Sequence, residues 1–260
     1  MNYCIVCFCF LNTFGRMINY KNIFKIKKTD EFESMAMKIF KYQFDNNKIY
    51  RSFCDLINKN PADIGNSNQI PFLPIKFFKS HKVLSSKQPT EKKFISSGTT
   101  NTNLSTHHIT DLKLYESSFE NSFKYFFGDI KNYTVLALLP SYIENKNSSL
   151  IYMADKLIIK TENKNSGFYL DNYTELKDKL IELKNEKVIL IGVTFALLNL
   201  IEKFNFQLPN LTIVETGGMK GRRKEMIRNE LHAKLINGFG TNLICSEYGM
   251  TELLSQAYST

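Results

Sequence analysis

Strand-like and helix-like segments alternate through the second half of the chain. Short runs rich in Val, Ile and Leu recur there, at 133–139, 188–192, 211–214 and 242–245. Between them, apolar residues return every three or four positions, in the segments 148–158, 172–184, 193–203 and 222–236. Helical crossovers of this length bring the chain back to the same end of a sheet, which makes neighbouring strands parallel. The alternation therefore predicts an α/β fold with a mostly parallel sheet flanked by helices.

The first part of the chain predicts helices that lead into this fold. Apolar residues at helical spacing between Phe32 and Phe44 indicate one helix, with Asp30 as its cap, and 49–58 indicates a second. The next segment, 70–80, contains two prolines that exclude a central strand or a helix interior, so we expect it to be extended. Its three phenylalanines either cover the core or line an apolar substrate pocket: Phe72, Phe77 and Phe78.

These patterns divide the chain into three parts. Residues 1–16 contain an apolar run that is too short to cross a bilayer and lacks a basic leader, and Met17 offers a second start. We therefore predict that 1–16 is a spurious or disordered extension, that 17–68 is a helical lead-in and that 69–260 is the α/β domain. Stable membrane insertion is not expected.

Charge and cysteine content narrow the classes of function. The net charge of +9 comes from scattered lysines, and the five arginines form no stripe that would follow a phosphate backbone, so we expect no nucleic-acid partner. The five cysteines show neither disulfide nor zinc-ligand spacing, which is typical of a protein in the reducing cytoplasm. Binding of small anionic substrates is compatible with this charge.

Three polar loops follow predicted strands, and each carries residue types that suit a phosphorylated ligand. The loop SSGTTN at 96–101 offers hydroxyls and backbone N–H groups to a phosphate, after a strand at 93–95. The loop ETGGMKGRR at 215–223 holds three glycines within five residues, so that its backbone can approach a flat ligand. It leads into a helix predicted to start in the cationic run at 222.

The third loop, SEYGMTE at 246–252, combines four useful groups. Tyr248 offers a flat face to a base, and Gly249 permits a backbone turn where a side chain would clash. Thr251 offers a hydroxyl to a phosphate, and Glu252 offers hard oxygens to Mg²⁺. Taken alone, this third loop is equally compatible with an ordinary polar turn.

The predicted topology brings these loops together. The carboxyl ends of parallel strands share one edge of a sheet, so we expect the three loops to meet there around one ligand. Tyr142 follows the strand at 133–139, and Thr194 and Phe195 open a helix after another strand, so these residues can also reach that ligand. His107 and His108, before a helix at 110–127, are more typical of structural or solvated histidines.

The three loops in this order resemble the motifs of the adenylate-forming superfamily of acyl and aryl ligases. Longer strings, namely LLPSYIE, GVTFALL, ETGGMKGRRKE and SEYGMTELLSQAY, resemble the acyl-protein synthetase family, the LuxE-type fatty-acid ligases of bacterial luminescence and their relatives. The resemblance runs from about Phe72 to the last residue. It implies the large domain of an adenylate-forming enzyme, which uses ATP and Mg²⁺ to convert a fatty acid to acyl-AMP and transfers the acyl group to a protein thiol.

The resemblance also implies roles for individual residues. The residues implied to bind the β- and γ-phosphates of ATP are Ser96, Ser97, Gly98, Thr99 and Thr100. The adenine would lie against Gly217, Gly218 and Met219, with Tyr248 stacked on it or beside the ribose and Gly249 in the adjoining turn. Thr251, at the α-phosphate, and Glu252, on the metal, would be the catalytic residues. Tyr142, Thr194 and Phe195 would contact the acyl substrate, and the implied partners are an acyl-acceptor, transferase or reductase protein.

The chain departs from the family pattern at two places. Asn101 stands where the superfamily loop continues with Gly and then Lys. The sequence stops at Thr260, before the ribose-binding Asp, the hinge and the small C-terminal domain that the resemblance leads one to expect. Two alternatives therefore stay open, an aryl- or acyl-CoA ligase of the phenylacetate type and a non-catalytic remnant that binds nucleotide or acyl chains.

Overall fold

The computed structural model describes residues 20–97, 104–140, 146–217 and 226–259. These residues form two compact units. The first unit comprises 20–121 together with 250–255, and the second comprises 122–249 together with 256–259. The boundaries predicted from composition, at 16 and 68, stay predictions.

Helices form much of the first unit. After a 3₁₀ turn at Tyr20–Lys25 come α1 (Thr29–Asn46), α2 (Lys48–Leu56) and a single helical turn, α3 (Phe77–Ser80). Asn47 separates α1 from α2, and its side chain accepts a hydrogen bond from the Tyr50 backbone N–H. The two helices bury an aromatic cluster in which the rings of Phe40 and Tyr50 meet edge to face.

Two details of this region differ from the prediction. Asp30 lies in the first turn of α1 and does not cap it, because the helix begins one residue earlier, at Thr29, with Lys28 at the N-cap. The Glu31 carboxylate accepts from the backbone N–H groups of Lys27 and Lys28. The segment 70–80 is not extended throughout. The Pro74 carbonyl accepts from the Phe77 N–H, and this turn opens the short helix α3.

A two-stranded antiparallel sheet completes the first unit and corrects the predicted topology. Its strands are β1 (Lys92–Ile95) and β2 (Thr106–Ile109), and α4 (Leu112–Phe127) follows them. The SSGTTN loop therefore connects a hairpin and does not follow a strand of the parallel sheet, so the expectation that three loops share one sheet edge is wrong for this loop. The sequence was expected to run from the loop directly into a helix. Instead, buried and half-buried residues alternate over 106–109, which is the burial pattern of a strand.

The second unit contains the predicted parallel sheet. Within the described residues its strand order is β4-β3-β5-β6-β7-β8, with β3 to β7 parallel and β8 antiparallel to β7. The strands are β3 (Thr134–Leu138), β4 (Gly167–Tyr169), β5 (Val188–Val193), β6 (Leu211–Thr216), β7 (Ile244–Tyr248) and β8 (Ala257–Ser259). The flanking helices are α5 (Ser149–Thr161), α6 (Tyr173–Glu182), α7 (Thr194–Lys203) and α8 (Arg228–Phe239). This confirms the α/β fold class.

The central strands could be predicted from the sequence because they are buried, whereas the start of α8 and the short strand β8 could not. Every residue of β3 and β5 is buried, so both strands are continuous apolar runs. The helix α8 begins at Arg228 and not in the cationic run at 222, because Ile227 is extended and Glu230 places an acid in the first turn. The short strand β8 was not predicted. None of the helices described is both long and apolar enough to cross a lipid bilayer.

Candidate functional site

In the second unit, the carboxyl ends of β5, β6 and β7 lie side by side. Val193 and Thr216, the last residues of β5 and β6, are paired, and Thr216 also pairs with Glu247, the residue before the last of β7. Thr194 opens α7 directly after β5, Gly217 follows β6, and Gly249 follows β7. Open α/β sheets bind ligands at this end of their strands, and the described part of the second unit therefore has its candidate site here.

A buried carboxylate organises these strand ends. Glu215 accepts a hydrogen bond from Thr194 Oγ1 at 3.1 Å and a second one from the Ser246 hydroxyl. The His232 Nε2 atom lies 3.1 Å from Ser246 Oγ and 3.7 Å from Glu215 Oε1. Because Glu215 is only 6% exposed, its charge depends on these groups for the stabilisation that water would otherwise supply. The cluster ties α7, β6, β7 and α8 together at the end of β6.

A second carboxylate, Glu247, is at the end of β7. Its Oε1 atom accepts a hydrogen bond from Gln256 Nε2 at 2.6 Å. Burial raises the pKa of Glu247 to about 7, the hydrogen bond from Gln256 opposes this rise, and the nearby negative charge of Glu215 adds to it. Glu247 therefore changes its charge near neutral pH.

Gly249 lies close to the side chains of two neighbouring residues. A Cβ atom there would lie 2.6 Å from Gln256 Oε1 and closer still to Glu247 Oε1. Its φ is not positive, and both of these atoms are the far ends of flexible side chains, which can move aside at low cost. The clash predicted for a side chain at this position is therefore with side-chain ends and not with the backbone. A Cβ atom at Gly217, in contrast, would meet nothing within 4 Å.

The other predicted residues of the second unit differ in exposure. Tyr248 is 52% exposed, so part of its side chain is accessible to a ligand. Thr194 and Phe195 are each only 3% exposed, and the Thr194 hydroxyl is bound to Glu215. Their role in substrate binding stays a prediction. The Thr216 hydroxyl is buried without a hydrogen-bond partner among the described residues, directly before the open backbone at Gly217.

The first unit holds the remaining predicted residues. Ser96 N donates to the Ser105 carbonyl, and Ser96 Oγ accepts from Ser105 N, each at 3.0 Å, so the hairpin continues to the base of the SSGTTN loop. Ser97 follows and is exposed. Several predicted residues lie outside the described residues and receive no structural account: Gly98, Thr99, Thr100, Tyr142, Gly218 and Met219.

Thr251 and Glu252 lie in a short turn. The Leu253 N–H donates to the Met250 carbonyl at 3.0 Å, and His107 Nδ1 lies 2.9 Å from the Thr251 carbonyl oxygen. Glu252 is 7% exposed and, within the part of the chain that the structure describes, its carboxylate has neither a hydrogen bond nor an ion pair.

An unpartnered, largely buried carboxylate fits a Mg²⁺ ion that a nucleotide would bring with it. Such ions are commonly held by one or two carboxylates together with phosphate oxygens. No group of three or more His, Cys, Asp or Glu side chains among the described residues could enclose a metal without such a ligand.

Sequence reasoning missed part of this arrangement. Ser246, His232 and Gln256 were not singled out, although Ser246 and Gln256 each donate to a site carboxylate and His232 contacts Ser246. His232 carries no sequence signal, because it stands alone in a helix. Ser246 begins the string SEYGMTE, and that string was the one signal that could have drawn attention to it.

Comparison with known proteins places the chain in context. A family profile described as "Acyl-protein synthetase, LuxE" matches residues 23–259. A comparison with curated proteins found no match.

Among solved structures, the chain is similar to 2-hydroxyisobutyryl-CoA ligase in several states. An open conformation in complex with 2-HIB-AMP and CoA has a TM-score of 0.59 and 10% identity, over 86% of this chain and 51% of that one. A postadenylation state in complex with R3-HIB-AMP has a TM-score of 0.59 and 10% identity, over 85% and 48% of the two chains. A thioesterification state has a TM-score of 0.58 and 11% identity, over 86% and 50%. The chain thus spans about half the length of these enzymes, and identity this low establishes a shared fold alone.

Proposed function

Because the chain belongs to the acyl-protein synthetase family, we propose that it activates a fatty acid with ATP to give acyl-AMP and passes the acyl group to a protein thiol. The observation that carries this proposal is the family match, which extends over 23–259 and so includes all three loops. The shared fold with 2-hydroxyisobutyryl-CoA ligase, whose structures hold an acyl adenylate, supports the first of the two steps.

The first step needs no general base. A fatty-acid carboxylate is already anionic at neutral pH, since carboxyl groups ionise near pH 4. One of its oxygens bonds to the α-phosphorus of ATP, and the bond from that phosphorus to the bridging oxygen breaks as pyrophosphate leaves. The task of the protein is then to position the two anions and to offset their charge.

Thr251 and Glu252 suit this task. The Thr251 hydroxyl would donate to an α-phosphate oxygen, and the unpartnered Glu252 carboxylate would hold Mg²⁺. When bound, Mg²⁺ neutralises part of the charge on the phosphates. Ser96 and Ser97, at the base of the hairpin loop, would contribute hydroxyls to the outer phosphates.

The strand ends of the second unit suit a nucleoside. The exposed ring of Tyr248 would stack on the adenine or flank the ribose, and the open backbone at Gly217 would permit close approach of the base. Glu215, held by Thr194 and Ser246, would fix the end of β6 from which this loop starts.

In the second step, a thiolate sulfur bonds to the acyl carbon and AMP leaves. The acceptor is a cysteine of a partner protein, such as an acyl-transferase or reductase, and we place the reaction in the cytoplasm. Cys245 is not this acceptor, because it is buried in β7 and burial raises the pKa of its thiol.

ATP–pyrophosphate exchange tests the first step. The purified chain is assayed with tetradecanoate, with phenylacetate and without acid, as wild type and as Glu252→Gln. We expect exchange that depends on tetradecanoate and falls by about 100-fold in Glu252→Gln. Glu230→Gln, an exposed carboxylate of α8 paired with Lys234, serves as the matched control and retains wild-type exchange.

Three other outcomes would change the assignment. Exchange driven by phenylacetate and transfer to CoA would favour an aryl-CoA ligase. ATP binding without acyl-AMP from any acid would favour the non-catalytic remnant. Equal exchange in Glu252→Gln and wild type would remove Glu252 from the site.

A further inference from the structure

One buried histidine is bound to the segment that carries Thr251 and Glu252. His107 lies in β2, is 1% exposed, and places its Nδ1 atom 2.9 Å from the Thr251 carbonyl oxygen. Both groups belong to the first unit, although 144 positions separate them in the sequence. This contact has no part in the reaction steps described above.

The partner fixes the tautomer of the ring. A carbonyl oxygen can only accept, so Nδ1 must carry the hydrogen and Nε2 must present a bare lone pair. The Nε2 atom is buried and has no hydrogen-bond partner within the described residues, and the edge-to-face contact of the ring with Phe78 offers none. Burial lowers the pKa of His107 to about 4, so the ring is neutral at physiological pH and its single N–H stays committed to Thr251.

An unpaired buried nitrogen costs free energy, which an apolar side chain at this position would avoid. Filling the core between β2 and Phe78 does not need an imidazole. What the imidazole adds, and Leu would not, is the donor to Thr251. The hydrogen bond to Thr251 is therefore what distinguishes histidine from leucine at this position.

The bond acts on the peptide plane that joins Thr251 to Glu252. That plane is rigid, so fixing its carbonyl oxygen restricts ψ of Thr251 and φ of Glu252 together. The other hydrogen bond of this turn, from Leu253 N to the Met250 carbonyl, holds its ends but not this plane. The directions of the Thr251 hydroxyl and the Glu252 carboxylate consequently depend on His107.

We propose that His107 is a positioning residue that holds the Thr251–Glu252 peptide plane and thereby aims the Thr251 hydroxyl and the Glu252 carboxylate at the Mg²⁺-bound phosphates of ATP. This inference rests on the proposed function, since it assumes that these two side chains serve adenylation. It predicts a loss in turnover with little change in binding of the fatty acid.

Three substitutions of His107 distinguish the effect of losing the hydrogen-bond donor from the effect of changing the side-chain volume. In His107→Asn the side-chain amide nitrogen can occupy the place of Nδ1, so the donor to Thr251 is kept. In His107→Gln the amide reaches the place of Nε2, and in His107→Leu the donor is removed while the site stays filled. His108→Leu is the matched control, because the neighbouring histidine is half-buried, lies at the next position of β2 and contacts Thr90.

Pyrophosphate exchange is then measured at varied fatty-acid concentration. We expect His107→Leu and His107→Gln to lower the maximal exchange rate by about 10- to 100-fold with the KM for the acid unchanged. His107→Asn retains most of the rate, and His108→Leu retains all of it. Equal rates in His107→Leu and wild type, or equal losses in the Asn and Leu variants, would overturn the proposal.

Two further measurements do not depend on turnover. Long-range ¹⁵N NMR of the histidine side chains should show His107 protonated at Nδ1, and protonation at Nε2 would refute the inference. Amide hydrogen exchange at 251–254 should be faster in His107→Leu than in wild type and normal in His107→Asn. If wild type forms no acyl-AMP with any acid while these two results hold, the proposed function fails. The hydrogen bond from His107 to Thr251 would then have a structural role and no catalytic one.

Discussion

Replacing Glu247 by Gln should change how the stability of the protein depends on pH. In the unfolded chain this carboxyl ionises near its ordinary value of 4.5, whereas burial at the end of β7 raises its pKa to about 7 in the folded protein. Between these two values the folded protein holds a proton that the unfolded chain has released. The contribution of Glu247 to the free energy of unfolding is therefore fully present below pH 4.5 and is lost as the pH rises to about 7.

The size of the effect follows from the same two values. At about 1.4 kcal/mol per pKa unit, a rise from 4.5 to about 7 sets an upper limit of about 3.5 kcal/mol. Glu247 is partly exposed, and solvent screening lowers the expected loss to about 2 kcal/mol. Glutamine cannot ionise, and its carbonyl oxygen can still accept the hydrogen bond from Gln256, so Glu247→Gln lacks this loss.

Urea unfolding of both proteins between pH 4 and 8 measures the difference directly. Wild type and Glu247→Gln should be about equally stable near pH 4, and the variant should be more stable by about 2 kcal/mol at pH 8. All other titrating groups are common to both proteins and cancel in the comparison. Glu230→Gln, at an exposed site, should show a constant difference from wild type. A constant difference for Glu247→Gln as well, or a variant that becomes relatively less stable as the pH rises, would refute the reasoning.

Three more predictions concern buried residues of the fold and one glycine with a positive φ. Gly240→Ala should lower the free energy of unfolding by about 1–2 kcal/mol in urea titrations, because φ at this residue is +65° and a Cβ atom would lie 2.9 Å from the Gln207 backbone. Gly217→Ala is the control and should lower the free energy of unfolding by less than about 0.5 kcal/mol, because a Cβ atom there meets open space. Glu215→Ala should cost about 2–4 kcal/mol by the same assay, because two buried hydroxyls lose their acceptor; an unchanged midpoint would contradict the role given to this carboxylate. Cys54 and Cys245 should react slowly with iodoacetamide in the native protein and rapidly in urea, because burial raises the pKa of both thiols; equal rates in the two conditions would contradict this.

The sequence predicted best what depends on burial along one segment. The strands β3, β5 and β6 were found because their residues are nearly all buried, which requires continuous apolar runs. Helices such as α7 were found because their apolar residues recur at helical spacing. These are local patterns, and the parallel order of the sheet followed from their alternation.

What the sequence could not supply depends on pairing across long separations. The strand β2 contains two histidines, and only its pairing with β1 makes Thr106–Ile109 a strand. The strand β8 has three residues and is recognisable only by its partner β7. The cluster around Glu215 joins residues of β6, β7, α7 and α8, and no spacing within one segment encodes it.

The short strand β8 has a consequence for the loop that precedes it. Tyr248 pairs with Ala257 and Glu247 pairs with Tyr258, so both ends of the 249–256 connection are clamped by one ladder. A loop has fewer conformations open to it when it is shorter, and a connection this short samples few of them once both of its ends are held. Substitutions in β8 that weaken this ladder would therefore enlarge the conformational space of Thr251 and Glu252 without touching either residue. Sequence changes in β8 could thus alter the backbone mobility of the Thr251–Glu252 turn without changing the turn itself.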